Sequence, residues 1–263
     1  MTAADLVRRW PAAGVRARAG DLELRWLDDD LLVVLGDLAA RGVHDPERMP
    51  FAVPWTRGDT DTVVRRLLSY QWHARSQIAP ERFMLELGVL VDGILVGVQG
   101  ASADDWGVRH RAETGSWLGI EYQGRGIGTR MRALMLFALF DGLGAREVTS
   151  GAFADNAASN AISRRVGYRP HGTTMVVREN AATAHHNYSM TRDRFEAVRE
   201  QNLALLRGAV TLDGFDTLRL MLIPGPGTTS ESQHGTPGRT RPPRRAEGNL
   251  RSCARRRQRL PAI

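Results

Sequence analysis

One stretch constrains this chain more than any other: GSWLGIEYQGRGIGTRMRALMLFALF, residues 115–140. It reads as a strand, a loop with three alternating glycines, and an apolar run with helical spacing. Met131, Leu134, Met135 and Ala138 fall on one face of a helix predicted over Thr129 to Phe140. A glycine-rich turn between strand and helix brings backbone N–H groups to the positive end of the helix dipole, which makes an anion site. Arg125 and Arg130 add two full charges, so a pyrophosphate fits. The plainer reading is a tight turn. A dinucleotide fingerprint is excluded, because its third glycine would fall on Thr129.

The flanking sequence sets the loop in a mixed domain. Residues 1–20 read as a leader with at most one short helix. LELRWL, residues 22–27, alternates as a strand does, and Asp28 to Asp30 cap a helix that ends near Gly42. Residues 45–59 are irregular, and a second amphipathic helix follows to residue 77. Two apolar runs flank Asp92-Gly93, a pair suited to a tight hairpin. AETGSWLGI and REVTSGAF are further strands. Asp155 or Asn156 caps a helix stopped by Gly167. TTMVVREN and HHNYSMTRDRF form a closing strand pair, followed by a helix near 194–206 and the strand-like GAVTL.

Composition removes several chemistries. All 36 basic residues are arginine, and a Walker loop, a protein-kinase site and a pyridoxal Schiff base each need lysine. Cys253 is the only cysteine, so no intrachain disulfide or cysteine metal cluster is expected. His-Glu-x-x-His and Gly-x-Ser-x-Gly are absent, against a zinc hydrolase and an α/β-hydrolase. His185 and His186 are neighbours on a strand and point to opposite faces. No metal is expected. Arg8 and Arg9 precede no apolar signal core, and no apolar run is long enough to span a bilayer. A cytoplasmic protein with no membrane partner follows.

The net charge of +7 is local. From Pro224 onward nine arginines face two acids, Glu231 and Glu247, while the first 223 residues carry 27 arginines and 27 acids. The basicity therefore gives the folded part no nucleic-acid face. Residues 224–263 have the composition of a disordered tail. They read as a solvated extension or an out-of-frame fusion, with weak electrostatic contact to RNA as the alternative.

Two signatures carry a resemblance. Gln123-Gly-Arg-Gly-Ile-Gly128 resembles the pyrophosphate loop of the GCN5-related N-acetyltransferases, and Asn156-Ala-Ala-Ser159, leading to Gly167-Tyr168, resembles their later helix. The match spans roughly residues 20–200 and looks closest to the branch that acetylates ribosomal-protein N-termini. It implies an α/β (α+β) domain, here placed at residues 21–223, with a mixed, mostly antiparallel sheet flanked by helices. It also implies acetyl-CoA as cosubstrate, held by Leu118, Ile120, Gln123, Gly124, Arg125, Gly126, Gly128, Thr129, Asn156 and Ser159. Direct attack of an amine on the thioester needs a base, an oxyanion donor and a proton for sulfur. Glu113, at the start of the strand before the loop, is the candidate base; the plainer reading is a solvated strand end. Many relatives carry a tyrosine four residues before the later glycine as the acid, and here that position is Ser163. Phe51 and Trp55 are candidates to line an acceptor pocket, beside Trp72 and His73. The preferred acceptor is a protein N-terminus. A small amine such as an aminoglycoside or polyamine, and a non-catalytic acyl-CoA sensor, stay open, as does a homodimer.

Overall fold

The computed structural model describes residues 2–222; the basic tail and Cys253 lie outside the described residues. Helix α1 (Ala3–Arg9) and a 3₁₀ turn lead into β1 (Arg16–Ala19) and β2 (Leu22–Trp26). Then come α2 (Asp29–Ala40), α3 (Thr60–Ser76), β3 (Arg82–Val91), β4 (Ile94–Asp104), the single turn α4 (Trp106–Arg109) and β5 (Arg111–Leu118). The glycine loop opens α5 (Ile127–Phe137), which continues as a π turn over Ala138–Gly142. The chain finishes with β6 (Glu147–Phe153), α6 (Ala157–Arg165), β7 (Arg169–Arg178), β8 (Ala181–Thr191), α7 (Arg192–Ala197), α8 (Arg199–Leu205), β9 (Thr211–Asp213) and α9 (Phe215–Leu222).

Local signals placed most elements. Asp28 caps α2 by accepting from Leu31 N–H, and Asp59 caps α3 by accepting from Thr62 N–H. Asp92 and Gly93 both take positive φ, 50° and 79°, as a two-residue hairpin turn demands. The helix expected over 194–206 is two short helices, and α9 carries no counterpart in the sequence reading. The segment set apart as a leader belongs to the body. β1 pairs with β2 and β9, and Ala12, Val15, Ala17 and Ala19 are enclosed in the core.

The described residues form one nine-stranded sheet in the order β7-β8-β6-β5-β4-β3-β2-β1-β9. Its strand pairs are antiparallel except β5 with β6. One face packs on α5 and its π turn through Leu85, Leu87, Met131, Leu134 and Phe137. The other face packs on α2 and α3 through Leu35, Leu38, Leu67, Val98 and Trp117. Among the described residues no helix is long and apolar enough to cross a membrane.

Candidate active site

The parallel pair is only half closed. β5 runs for eight residues, yet its ladder to β6 covers Arg111 to Thr114 alone. β6 continues instead against β8 as far as Phe153. A gap therefore opens beside Gly115–Leu118. Gly119 N–H donates to Val96 O on the β4 side, 3.0 Å. Alternation along the strand then turns the backbone groups of Ser116 and Leu118 into the gap. Ile120, expected beside Leu118, is spent elsewhere: it sits in a 3₁₀ turn and its N–H donates to Gly42 O at 3.0 Å.

The glycine loop stands at the mouth of this gap. Gly124 and Gly126 take φ of 73° and 78°, and a Cβ on either would meet nothing within 4 Å. Gly126 is the N-cap of α5, and no side chain caps that end. An eleven-residue helix thus presents unsatisfied N–H groups from Ile127, Gly128 and Thr129 behind two left-handed glycines, which is the geometry of an anion site. Gly128 is needed for packing, since a Cβ there would press on Ile162 at 2.9 Å. Arg125 is exposed, with its guanidinium 5.7 Å from the Tyr122 ring centroid. Arg130 supplies no free charge: it is buried and paired with Asp21, whose carboxyl it holds below the usual range. The Gln123 amide donates to Val43 O at 2.7 Å and Leu118 O at 2.9 Å, so this side chain ties the loop to β5 and to the end of α2.

Below the gap lies an arginine the sequence reading had placed nowhere. Arg132 on α5 is 4% exposed, and donates to Ser150 of β6 at 2.7 Å and to Ser116 of β5 at 3.1 Å. It therefore bridges the two strands where their ladder stops. Burial holds its guanidinium below its usual value. Tyr168 is buried beside it, its phenol pushed up by burial and 3.3 Å from Thr114 Oγ1.

The later helix frames the far side. Asn156 caps α6 by accepting from Ser159 N–H at 3.1 Å, and both residues keep some exposed surface. The neighbouring Asn160, also unforeseen, holds the site's frame: its amide donates to Phe153 O and Asn156 O, both at 2.8 Å, and it accepts from Tyr188 OH at 2.8 Å. Asn160→Ala would remove three hydrogen bonds and leave the buried Tyr188 hydroxyl proton without its acceptor, and is expected to cost about 1–3 kcal/mol, read from urea unfolding midpoints. Ser163 is fully buried, and its hydroxyl has no partner.

The face covered by α2 and α3 carries the residues expected at an acceptor pocket. Glu113 is exposed there, in register with Ser102 of β4 and Thr149 of β6, at the vertex of the gap. Trp55 is 2% exposed and packs on Trp117, ring centroids 5.5 Å apart, so it is core and lines no pocket. Phe51 packs on Trp55 at 5.4 Å but keeps exposed surface. Trp72 is turned outward on α3. Residues 43–59 form a strap across this side. It is fastened to the tip of the β7–β8 hairpin by Arg57 with Glu179, 2.8 Å, and by Arg178 donating to Met49 O, 3.2 Å.

Comparison with known proteins agrees with this architecture. The model of the acetyltransferase (GNAT) domain matches residues 21–169, more than half the chain. Among solved structures, the chain is similar to Mycobacterium smegmatis RimJ in complex with CoA-disulfide: 20% identity, TM-score 0.54, 71% of this chain and 93% of that one. It is similar to a GCN5-related N-acetyltransferase from Brucella melitensis, at 20% identity and TM-score 0.57, over 72% and 84% of the two chains. A third is the Salmonella typhimurium acetyl transferase that modifies the N-terminal serine of ribosomal protein L7/L12. There the figures are 17% identity, TM-score 0.52, and 66% and 96% of the chains. These likenesses concern the fold. With its half-closed parallel pair, its uncapped glycine loop and its matching domain signature, the chain belongs to the GNAT acetyltransferase family.

Proposed function

We propose that this acetyltransferase moves the acetyl group of acetyl-CoA to a primary amine, and that the acceptor is a protein N-terminus. The observation that carries the reading is the uncapped start of α5 behind Gly124 and Gly126, at the mouth of the β5–β6 gap. Its free N–H groups fit a pyrophosphate, with exposed Arg125 beside it. The Ser116 backbone and the Leu118 N–H line the gap where an extended arm would lie, the Leu118 carbonyl being held by Gln123, and Asn156 and Ser159 flank it. Acetyl-CoA supplies an acyl group activated as a thioester. The protein's tasks are to hold that group still, exclude a competing water and take a proton from the amine.

The N-terminal acceptor rests on likeness: the enzyme that modifies the N-terminal serine of L7/L12 shares this fold. Burial of Ser163 favours a second reading, a non-catalytic acyl-CoA sensor, because α6 brings no acid to the gap. The full chain should decide. It is incubated with acetyl-CoA and either N-terminal peptides or small amines, and free thiol is followed. Peptide-dependent thiol release is expected. Release only with small amines would move the acceptor class, and binding without release would leave the sensor.

A further inference from the structure

Inside the apolar run of β3 stands one carboxylate, Glu86, which the reading of the sequence passed over. Leu85 and Leu87 enter the core on the α5 side, so Glu86 points to the opposite face, the acceptor side. There it shares a cross-strand row with Gly100 of β4 and Gly115 of β5. Neither neighbour has a side chain. The Glu86 carboxylate uses that room and lies across Gly100, where a built Cβ would collide with its Oε1. It is thus aimed from β3 towards β5, and Gly115, the first residue beside the gap, is the next in the row. One strand spacing, about 4.8 Å, separates Gly100 from Gly115. Tyr70 on α3 donates to Glu86 Oε1 at 3.0 Å. No arginine among the described residues forms an ion pair with it, and it keeps part of its surface open. Glu113, by contrast, is exposed and two strands away on the same face.

Resting on the acetyl-transfer reading above, we propose that Glu86, rather than Glu113, is the proton acceptor for the amine. The nitrogen lone pair forms the new C–N bond to the acetyl carbon, the C–S bond breaks, and its electron pair leaves on sulfur. The proton shed by nitrogen passes to the Glu86 carboxylate, directly or through one water, and then to solvent. The thiolate leaves without an acid, in keeping with the buried Ser163.

The environment of Glu86 suits the task. Burial pushes its carboxyl up to about 8, against the smaller opposing effect of the Tyr70 bond. That lies close to the α-amine of a peptide, about 7.7–8.0, so proton transfer between them is nearly balanced. Of the titratable groups, Tyr70 bonds it directly, His73 stands one turn on from Tyr70 along α3, and Glu113 lies on the same sheet face two strands away. Gly100, its β4 neighbour, has none to offer.

The test uses the full chain with its best amine, comparing Glu86→Gln, Glu86→Asp, Tyr70→Phe and Glu113→Gln. Glu86→Gln is expected to lower kcat about 100-fold or more with acetyl-CoA affinity unchanged, while Glu113→Gln stays within about threefold. Glu86→Asp, which withdraws the carboxylate, should also be slow if the glutamine variant misfolds. The wild-type rate should rise through one ionisation near pH 8. Tyr70→Phe should move that limb upward, because the lost bond favoured the charged carboxylate. Titration of the amine itself cannot respond to that change. A Glu86→Gln enzyme with near-normal kcat, or a limb unmoved by Tyr70→Phe, would overturn the assignment while leaving the acetyltransferase intact. A wild type that binds acetyl-CoA but releases no thiol with any amine would overturn both.

Discussion

Replacing Gly126 with valine is expected to weaken acetyl-CoA binding by about 100-fold or more while leaving the protein folded. Two effects separate cleanly at this residue. The backbone sits at φ +78°, where a side chain costs about 1–2 kcal/mol. Nothing lies within 4 Å of the added Cβ, so no clash adds to that cost. The open space that spares the fold is the space proposed for the pyrophosphate. Valine would fill it and hold the anion away from the α5 N–H groups. Losing two charge-assisted hydrogen bonds at about 1.5–3 kcal/mol each accounts for the expected fall in affinity. Titration calorimetry with acetyl-CoA, beside a urea melt of the same variant, gives both numbers. Unchanged affinity would remove the loop from cofactor binding. A collapsed melt would show that Gly126 is a folding residue first.

The second large effect is a stability that falls as pH rises. The carboxyl of Glu86 titrates near 8 in the folded protein against an ordinary 4.5. Between those values the folded state carries a proton that the unfolded state has lost. Its contribution is therefore complete below about pH 4.5, declines across the window and is gone above pH 8. The amplitude is roughly 3 kcal/mol, less than the full shift implies because part of Glu86 remains in water. Glu86→Gln keeps the shape and removes the charge. It should flatten that slope and be the more stable protein at pH 9, though the poorer catalyst. Urea midpoints of both proteins from pH 5 to 9 test this, and the midpoint of their difference reports the ionisation independently of any substrate. Parallel curves would mean that Glu86 ionises as freely as an exposed carboxylate.

What the sequence disclosed was what short segments decide for themselves. The turn at Asp92-Gly93, the cap Asp28, the cap at Asn156 (one of two adjacent candidates) and the glycine loop depend on a few adjacent residues, and each lies where the sequence placed it. The shape of the domain followed, because ordered strands and helices leave few topologies. Residues whose role depends on a distant partner stayed hidden. Arg130 looked like part of an anion site until Asp21, 109 positions away, claimed it. Arg132 and Asn160 looked like ordinary helix residues, since Ser116, Ser150 and Tyr188 come from three other elements. β1, with the text RARA, is too short and too charged to announce a strand, and its two pairing partners are what make it one. Glu86 did leave a trace: a lone acid within RFMLELGVLV is costly unless that position has a use.

The gap between β5 and β6 is bounded by two unlike materials. Its inner end is set by four backbone pairs and by Arg132 reaching across to both strands, none of which shift without breaking buried hydrogen bonds. The strap is pinned by Trp55 in the core and by Gln123 on Val43 O, but it meets the β7–β8 hairpin through one exposed ion pair and one hydrogen bond, and an exposed pair is worth no more than about 1 kcal/mol. The inner end of the gap is therefore a fixed stop, and the joint between strap and hairpin tip is the first place to give under load.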